Sequence, residues 1–214
     1  MDKSQLEAIA REITACKKCP LYKTATNPVP GNGSPHAEMM FLGEAPGYWE
    51  DQKGIPFCGA AGKLLDELLF SVGLDREKVF VANVLKHRPP ENRDPLPEEM
   101  EACREFLDRQ IRIIQPKVII TLGRFSMAKF WPLGKISRDH GIGRTVEYEG
   151  RKFILIPMFH PAAALRASDV EQKLREDFKK IPAEIKRLEK IMNGVMGEKT
   201  MSVEERKEEQ LTLV

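Results

Sequence analysis

Four short apolar runs alternate along the chain with longer segments of helical periodicity. These runs predict strands at 38–43, 79–85, 118–122 and 152–157, with a hairpin at 146–148 leading into the last. They are apolar at nearly every position rather than at every second one, which is typical of strands buried on both faces. The predicted fold class is α/β, a three-layer α/β/α sandwich with a central, mainly parallel four-stranded sheet.

The segments between the strands carry apolar residues at three- and four-residue spacing. Helices are predicted at 4–14, 60–72, 97–114, 124–131 and 170–192. Pro97 suits the first turn of the third helix, and the acidic residues that follow it suit the positive end of the helix dipole. Residues 1–192 are expected to form one domain, and the polar segment 193–214 a mobile tail.

Composition narrows the function classes without selecting one. Of 214 residues, 42% are hydrophobic and 31% charged, and 34 Lys and Arg nearly balance 32 Asp and Glu. This balance neither indicates nor excludes a nucleic-acid binder. No apolar run is long enough to cross a membrane, and the charged N-terminus lacks a signal-peptide core, so a cytoplasmic location is expected. Many charges beside few Asn and Gln are typical of thermophiles.

The four cysteines are too few for a disulfide framework and favour metal binding or catalysis. Cys16 and Cys19 form a CxxC pair at the end of the first helix, and Cys103 lies on the long third helix. Two thiolates at this spacing can bind one zinc ion or one face of an iron–sulfur cluster. A redox pair or incidental buried thiols remain open, and the fourth ligand could be either Cys58 or His87.

Polar or aromatic side chains follow three of the predicted strands. In open α/β sheets, ligands bind at the carboxyl ends of the strands. Glu44 lies in a glycine-rich turn after the first strand, and Phe57 lies in the next loop. Asn83 interrupts the apolar second strand, and His160 follows the fourth. Each has an ordinary structural interpretation when taken singly, but together they predict one crevice.

At these residues the chain resembles the family 4, iron–sulfur uracil-DNA glycosylases. The resemblance covers about residues 5–185. Its motifs occur in order and spacing as GEAPG at 43–47, ED at 50–51, PFCGAAGKLLD at 56–66, NVLK, RPP and NR within 83–93, and HP at 160–161. The resemblance implies the same α/β/α sandwich and hydrolysis of the N-glycosidic bond of uracil, which arises in DNA when cytosine is deaminated.

The resemblance also implies roles for individual residues. The catalytic residues would be Glu44 and His160, and the substrate-binding residues would be Gly43, Ala45, Phe57 and Asn83. Phe57 would stack on a flipped base, and the Asn83 amide would match the N3–H and O4 edge of uracil. His160 and backbone N–H groups around Glu44 and Ala45 would stabilise the anionic leaving base. Whether Glu44 orients water or screens the base stays open, and a monofunctional enzyme is expected because no lysine lies in a Schiff-base motif.

The implied cofactor is a [4Fe–4S] cluster. Cys16, Cys19 and Cys103 match three ligand positions of the family, and His87 stands where the fourth ligand is usually a cysteine. Imidazole replaces thiolate on iron in Rieske centres. Cys58 is expected in a small apolar slot beside Phe57 and not on the cluster.

The expected partner is single- or double-stranded DNA that contains uracil. Lys86, Arg88 and Arg166 are candidate DNA contacts, and Leu165 is the candidate wedge that fills the gap left by the flipped base. The basic segment 117–152 holds eight Lys and Arg against three Asp and Glu. The tail weakly resembles a sliding-clamp-binding peptide at Gln210, Leu211 and Leu213, but it lacks the usual aromatic pair, and an inert tail is preferred.

Two alternatives remain beside uracil excision. One is a glycosylase for several deaminated bases. The other is a non-catalytic zinc or iron–sulfur protein that binds nucleic acid.

Overall fold

A computed structural model describes residues 2–194 of the chain. The expected tail at 193–214, including the clamp-like residues Gln210, Leu211 and Leu213, lies almost wholly outside the described residues. Within 2–194, no helix is both long and apolar enough to cross a membrane.

The centre of the fold is a mainly parallel sheet, which confirms the predicted sandwich. Its strands are β1 (Asn32–Gly33), β2 (Met39–Gly43), β3 (Phe80–Asn83), β4 (Val118–Leu122), β5 (Arg144–Tyr148) and β6 (Arg151–Met158). They lie in the order β1-β3-β2-β4-β6-β5, and the four in the middle are parallel. The sheet has six strands rather than four because antiparallel β1 and β5 extend its edges. β1 has only two residues in a proline-rich loop, so no apolar pattern announces it.

The helices lie on both faces of this sheet and pack on each other. They are α1 (Asp2–Thr14), α2 (Tyr48–Lys53), α3 (Ala60–Ser71), α4 (Pro97–Ile114), α5 (Arg124–Phe130), α6 (Ile136–Asp139), α7 (Pro161–Ala164) and α8 (Ser168–Met192). The predicted bounds of α4 are confirmed. The short helices α2, α6 and α7 were not predicted because one or two turns are too short to show a helical period.

Two separate apolar cores cover the two faces of the sheet. On one face, Leu65 of α3 and Phe178 of α8 pack against Phe41 of β2. On the other face, α4 contributes Leu107 and the ring of Phe130 comes from the end of α5. Alternate residues of β2 therefore enter opposite cores, as the unbroken apolar strands predicted.

Strand register brings the functional ends together. Gly43 at the end of β2 pairs with Asn83 at the end of β3, and Leu122 of β4 pairs with Met158 of β6. All four parallel strands thus end at one edge of the sheet, where the loops after them meet.

Candidate functional site

A cavity of about 400 Å³ opens at the carboxyl ends of the parallel strands. Glu44, Phe57, Asn83 and His160 all line it, so the fold brings together the four residues that the sequence expected in one crevice. Ala45 also lines this cavity, and Gly43 lies directly beneath it at the end of β2.

Asn83 occupies the inner end of the cavity. Its side chain is buried, and in the part of the chain that the structure describes its Oδ1 has no hydrogen-bond partner. A buried polar atom without a partner costs about 1–3 kcal/mol, so this oxygen is an acceptor held ready for a ligand. Gly43 is needed beside it, because a Cβ there would lie 2.3 Å from Oδ1 and 2.7 Å from Phe57 Cζ.

Phe57 is held in an unusual backbone conformation. Its φ is 51°, in the left-handed region that a bulky residue rarely adopts. Gly62, in the first turns of α3, permits this conformation, because a Cβ there would lie 1.7 Å from the Phe57 carbonyl oxygen. The strained loop and the glycine together turn the buried aromatic ring into the cavity.

His160 is a neutral hydrogen-bond donor. Its Nδ1 accepts a hydrogen bond from the backbone N–H of Ala162 at 3.0 Å, so the ring proton lies on Nε2. Burial lowers the pKa of His160 from 6.5 to about 4. Its ring lies 5.5 Å from the ring of Phe57 at an angle of 25°, the spacing of one stacked pair. A base therefore has room beside these rings, not between them.

Glu44 is fixed at the opening of the turn after β2. Its Oε1 accepts the backbone N–H of Phe125 at 2.8 Å. Gly123, just after β4, leaves space for this carboxylate, since a Cβ there would lie 2.3 Å from Oε1. Burial raises the pKa of Glu44, and the Phe125 N–H lowers it in part.

Lys86 is not placed on the surface, where the sequence expected it to contact DNA, and this assignment is corrected. The side chain is fully buried, and its Nζ donates to the carbonyl oxygens of Asn83 at 2.8 Å and Pro30 at 3.3 Å and to Gln110 Oε1 at 2.9 Å. Burial lowers the pKa of Lys86 to about 7. Instead of meeting phosphate, the amine joins the end of β3 to the loop before β1 and to α4.

The other candidate DNA contacts lie near the cavity mouth. Arg166 lines the cavity, and the neighbouring Leu165 is exposed after α7. The guanidinium of Arg88 lies over the ring of Tyr48 at 5.2 Å, and its Nε donates to Asn92 Oδ1 at 2.7 Å. These positions suit contact with a strand entering the cavity.

Three cysteines gather on the far side of the β3 end. Cys103 of α4 shares a small apolar cluster with Cys19, Leu21 and Leu85. Burial is the main cause that raises the pKa of Cys103 to about 11; the neighbouring Cys19 and Cys16 act in the same direction, and Lys86 acts in the opposite direction. Three cysteine thiols are the type of donor that holds iron–sulfur clusters.

His87 and Cys58 are the two candidates for the fourth ligand. His87 is buried, which lowers its pKa, and the charge that acts on it in the opposite sense is that of Asp51. Within residues 2–194, no three His, Cys, Asp or Glu side chains are close enough to hold a metal ion together. Burial raises the pKa of Cys58, and the charges that act on its thiol are those of Glu50, Lys53 and Arg76, so its surroundings differ from those of the other cysteines.

Two supports of the site were missed by reasoning from the sequence. Gly123 and the N–H of Phe125, which hold Glu44, follow β4, and a glycine directly after a buried strand was the available signal. The exposed pair Tyr48 and Trp49 lies on α2, next to the cavity-lining Gly47 and Glu50. Two aromatics directly after the glycine-rich turn were visible in the sequence, but a core position was equally compatible with them.

Comparison with known proteins agrees with this geometry. The model of the uracil DNA glycosylase superfamily matches residues 30–186. The chain is 51% identical over 181 residues to the type-4 uracil-DNA glycosylase of Archaeoglobus fulgidus, covering 82% of this chain and 91% of that protein. It is 50% identical over 182 residues to the type-4 uracil-DNA glycosylase of Sulfurisphaera tokodaii, covering 82% and 83%, and 41% identical over 184 residues to that of Thermotoga maritima, covering 85% and 95%. The chain therefore belongs to the uracil-DNA glycosylase superfamily, among its type-4 members.

Proposed function

We propose that this protein is a monofunctional DNA glycosylase that hydrolyses the N-glycosidic bond of uracil in DNA. Its biological substrate would be the uracil left by deamination of cytosine, and its work would be base excision repair in the cytoplasm. Membership of the type-4 family supports the reaction class. The cavity at the sheet edge supports the choice of base.

The unpartnered Oδ1 of Asn83 carries this proposal. Uracil presents an N3–H donor beside its O4 acceptor, whereas cytosine presents an acceptor at N3 and a donor at N4. An Asn amide has one acceptor and donors side by side, so it matches uracil and opposes cytosine. Because the target atom is inaccessible inside a duplex, the nucleotide must leave the base stack to reach Asn83.

His160 would stabilise the leaving base. As the glycosidic bond breaks, negative charge develops on uracil O2 and the sugar acquires oxocarbenium character. A neutral His160 offers its Nε2–H to this oxygen, and the Ala162 N–H keeps the proton on that nitrogen. Donors held in position before the reaction cost no reorganisation during it, which is why such groups contribute strongly.

Glu44 would orient the attacking water. Its carboxylate is held by the Phe125 N–H at the cavity edge, so one oxygen is committed to the backbone. The other oxygen is left to accept a hydrogen bond from water near the sugar. A fixed carboxylate of this kind would also stabilise the positive charge that develops on the sugar.

The same proposal includes a [4Fe–4S] cluster held by Cys16, Cys19, His87 and Cys103. When bound, it would join α1, the segment after β3 and α4 through metal–ligand bonds. The shared environment of Cys16, Cys19 and Cys103 supports this ligand set. The buried position of His87, directly after the Lys86 that acts on the Cys103 thiol, supports the fourth ligand.

Release of base from end-labelled oligonucleotides tests the function. A single strand and duplexes carrying uracil should lose the base, leaving an alkali-labile site without strand cleavage. Strands with thymine, hypoxanthine or xanthine at the same position should stay intact. Excision of several of these bases would favour a broader deaminated-base glycosylase, and binding without any release would favour a non-catalytic protein.

A further inference from the structure

Two aromatic side chains stand in solvent beside the mouth of the cavity. Tyr48 is 49% exposed and Trp49 is 56% exposed, both in the first turn of α2. Their rings meet edge to face with centroids 5.2 Å apart. The apolar face of a large ring is usually removed from water, so an ordered exposed pair beside a binding cavity marks a contact surface.

Both rings are held in place by the residues that build the cavity. Trp49 lies against Gly59 of the loop that carries Phe57, where a Cβ on Gly59 would lie 3.3 Å from Trp49 Cδ1. Tyr48 lies under the guanidinium of Arg88, which precedes the cavity-lining Pro89. We call Tyr48, Trp49 and Arg88 the aromatic platform.

The charges around the platform suit a nucleic-acid strand. Arg88 adds a guanidinium at one side, and Lys53 of α2 is exposed nearby along the chain. Glu50, the adjacent acid, turns toward the loop and accepts the Gly59 N–H at 3.4 Å. Asp51 is buried, where it accepts the Thr26 N–H at 2.8 Å. The acids of α2 are thus directed inward, while its aromatics face solvent.

We propose that the aromatic platform binds single-stranded DNA, with Trp49 stacking on an unpaired base that neighbours the flipped nucleotide and Arg88 contacting the adjoining phosphate. Every base has a π face, so such stacking tolerates any sequence. In a duplex the neighbouring base is already stacked on its own partners and is less available. The platform therefore favours substrates in which the uracil lies in an unpaired strand. This inference rests on the proposed function for its flipped nucleotide, but not for the binding of the strand itself.

Fluorescence isolates the platform. The chain has two tryptophans, so the Trp131→Phe variant leaves Trp49 as the single indole. Titration with an oligothymidylate of roughly ten nucleotides, free of uracil, should quench the emission of Trp49 in a saturable manner. Trp49 emission that does not change when this strand is added would overturn the proposal. Emission that instead changes with protein concentration alone would assign the platform to contact between copies and would also overturn it.

Variants of Trp49 distinguish an effect on strand affinity from an effect on the cleavage rate. Trp49→Ala should weaken binding of the same strand about five- to hundredfold, the range for loss of one base–aromatic stack, and Trp49→Phe should retain most of the affinity. At saturating enzyme, the single-turnover rate of Trp49→Ala should fall by a smaller factor than its affinity for the strand. The loss of affinity should be smaller for a fully paired duplex. Equal affinities of Trp49→Ala and the parent protein for the single strand would overturn the proposal.

Phe70→Ala is the matched control. Phe70 is 83% exposed, but it lies near the end of α3, nine residues and roughly 13 Å beyond the cavity-lining Ala61. Its loss should leave strand affinity unchanged. If the parent protein binds the uracil-free strand through Trp49 yet releases no uracil, the proposed function fails while the platform stands.

Discussion

The cavity and the cysteine group lie on opposite sides of the same segment, yet they differ in how far the polypeptide alone completes them. In the cavity, Asn83, Phe57 and His160 are each held by backbone geometry: strand register, a strained loop and a hydrogen bond to a helix N-terminus. In the cysteine group, Cys16, Cys19 and Cys103 are neighbours, but within residues 2–194 they do not meet at one metal-binding point.

The difference follows from what surrounds each region. The cavity rests on the parallel sheet, whose strands are buried in two apolar cores. Cys19 and Cys103 rest on a small separate cluster around Leu21 and Leu85, and Cys16 packs against another small cluster, around Ile9 and Phe106. The fold alone shapes the cavity, whereas the proposed cluster, when bound, would complete the geometry of the cysteine group, because metal–ligand bonds contribute directly to folding.

Lys86 joins the two regions. Its Nζ donates to the Asn83 carbonyl oxygen, and its charge acts on the Cys103 thiol. A disturbance of the cysteine group therefore has a short physical route to Asn83.

The largest expected effect is on the cavity side. His160→Ala should lower the single-turnover rate of uracil release about a hundred- to a thousandfold, the usual loss for a donor to a developing anion. DNA affinity should change little, because phosphate contacts dominate it. A variant that cleaves at the parental rate would make the histidine structural and leave the charge to backbone groups.

Asn83→Asp should follow, with about a ten- to hundredfold loss of uracil release near neutral pH. An ionised carboxylate cannot donate to O4, and its charge is buried without a partner. Excision from matched uracil and cytosine strands measures this change. Unaltered uracil release would remove Asn83 from the base-reading position.

Substitution of the cysteines tests the other side of the comparison. Cys103→Ser should lose most of the iron and have a lower Tm. Cys58→Ser should have the iron content and the Tm of the parent protein. His87→Cys should keep or strengthen the cluster, because thiolates are the usual ligands of such clusters. Iron content with absorbance near roughly 400 nm measures the result. Iron lost in Cys58→Ser but retained in His87→Ala would reverse the assignment of the fourth ligand, and a zinc-loaded, colourless protein would exclude the cluster.

The pH dependence sharpens the view of a preformed cavity. Because the pKa of His160 is about 4 in the native protein and 6.5 ordinarily, the unfolded chain takes up this proton first as pH falls. The stability contributed by His160 should therefore be fully present above about pH 6.5 and decrease between 6.5 and 4. Denaturant titrations should show that the free energies of unfolding of the parent and of His160→Ala differ most above about pH 6.5. The two values should approach each other as pH falls to 4. Parallel curves would place the pKa at its ordinary value.

Leu165→Ala should give the smallest change. Loss of roughly 1.5 kcal/mol of apolar contact would slow excision from duplex up to about tenfold, and excision from single strands less, because no gap in a stack needs filling there. Equal slowing on both substrates would argue against a wedge. Phe70→Ala serves again as the exposed apolar control.

Much of the site could be predicted because it lies at strand ends. Four buried strands were readable from unbroken apolar runs, and a parallel arrangement forces their carboxyl ends to one edge. The sequence alone therefore predicted that Glu44, Asn83 and His160 lie near one another. The sequence did not predict β1 or the short helices α2, α6 and α7, because elements of so few residues show no hydrophobic periodicity.

The sequence by itself determined the sandwich, the positions of the strand-end residues and the family resemblance, since these depend on local pattern and spacing. Only the tertiary structure decided where Lys86 points. A lysine two residues before Arg88 was expected to meet phosphate, but its amine is buried and donates to three oxygens inside the protein. The tertiary structure also decided that Tyr48 and Trp49 lie about half exposed, with Trp49 packed against Gly59. The direction of a side chain depends on the residues that pack around it from distant parts of the chain. The hydrophobic pattern along the sequence does not specify that packing.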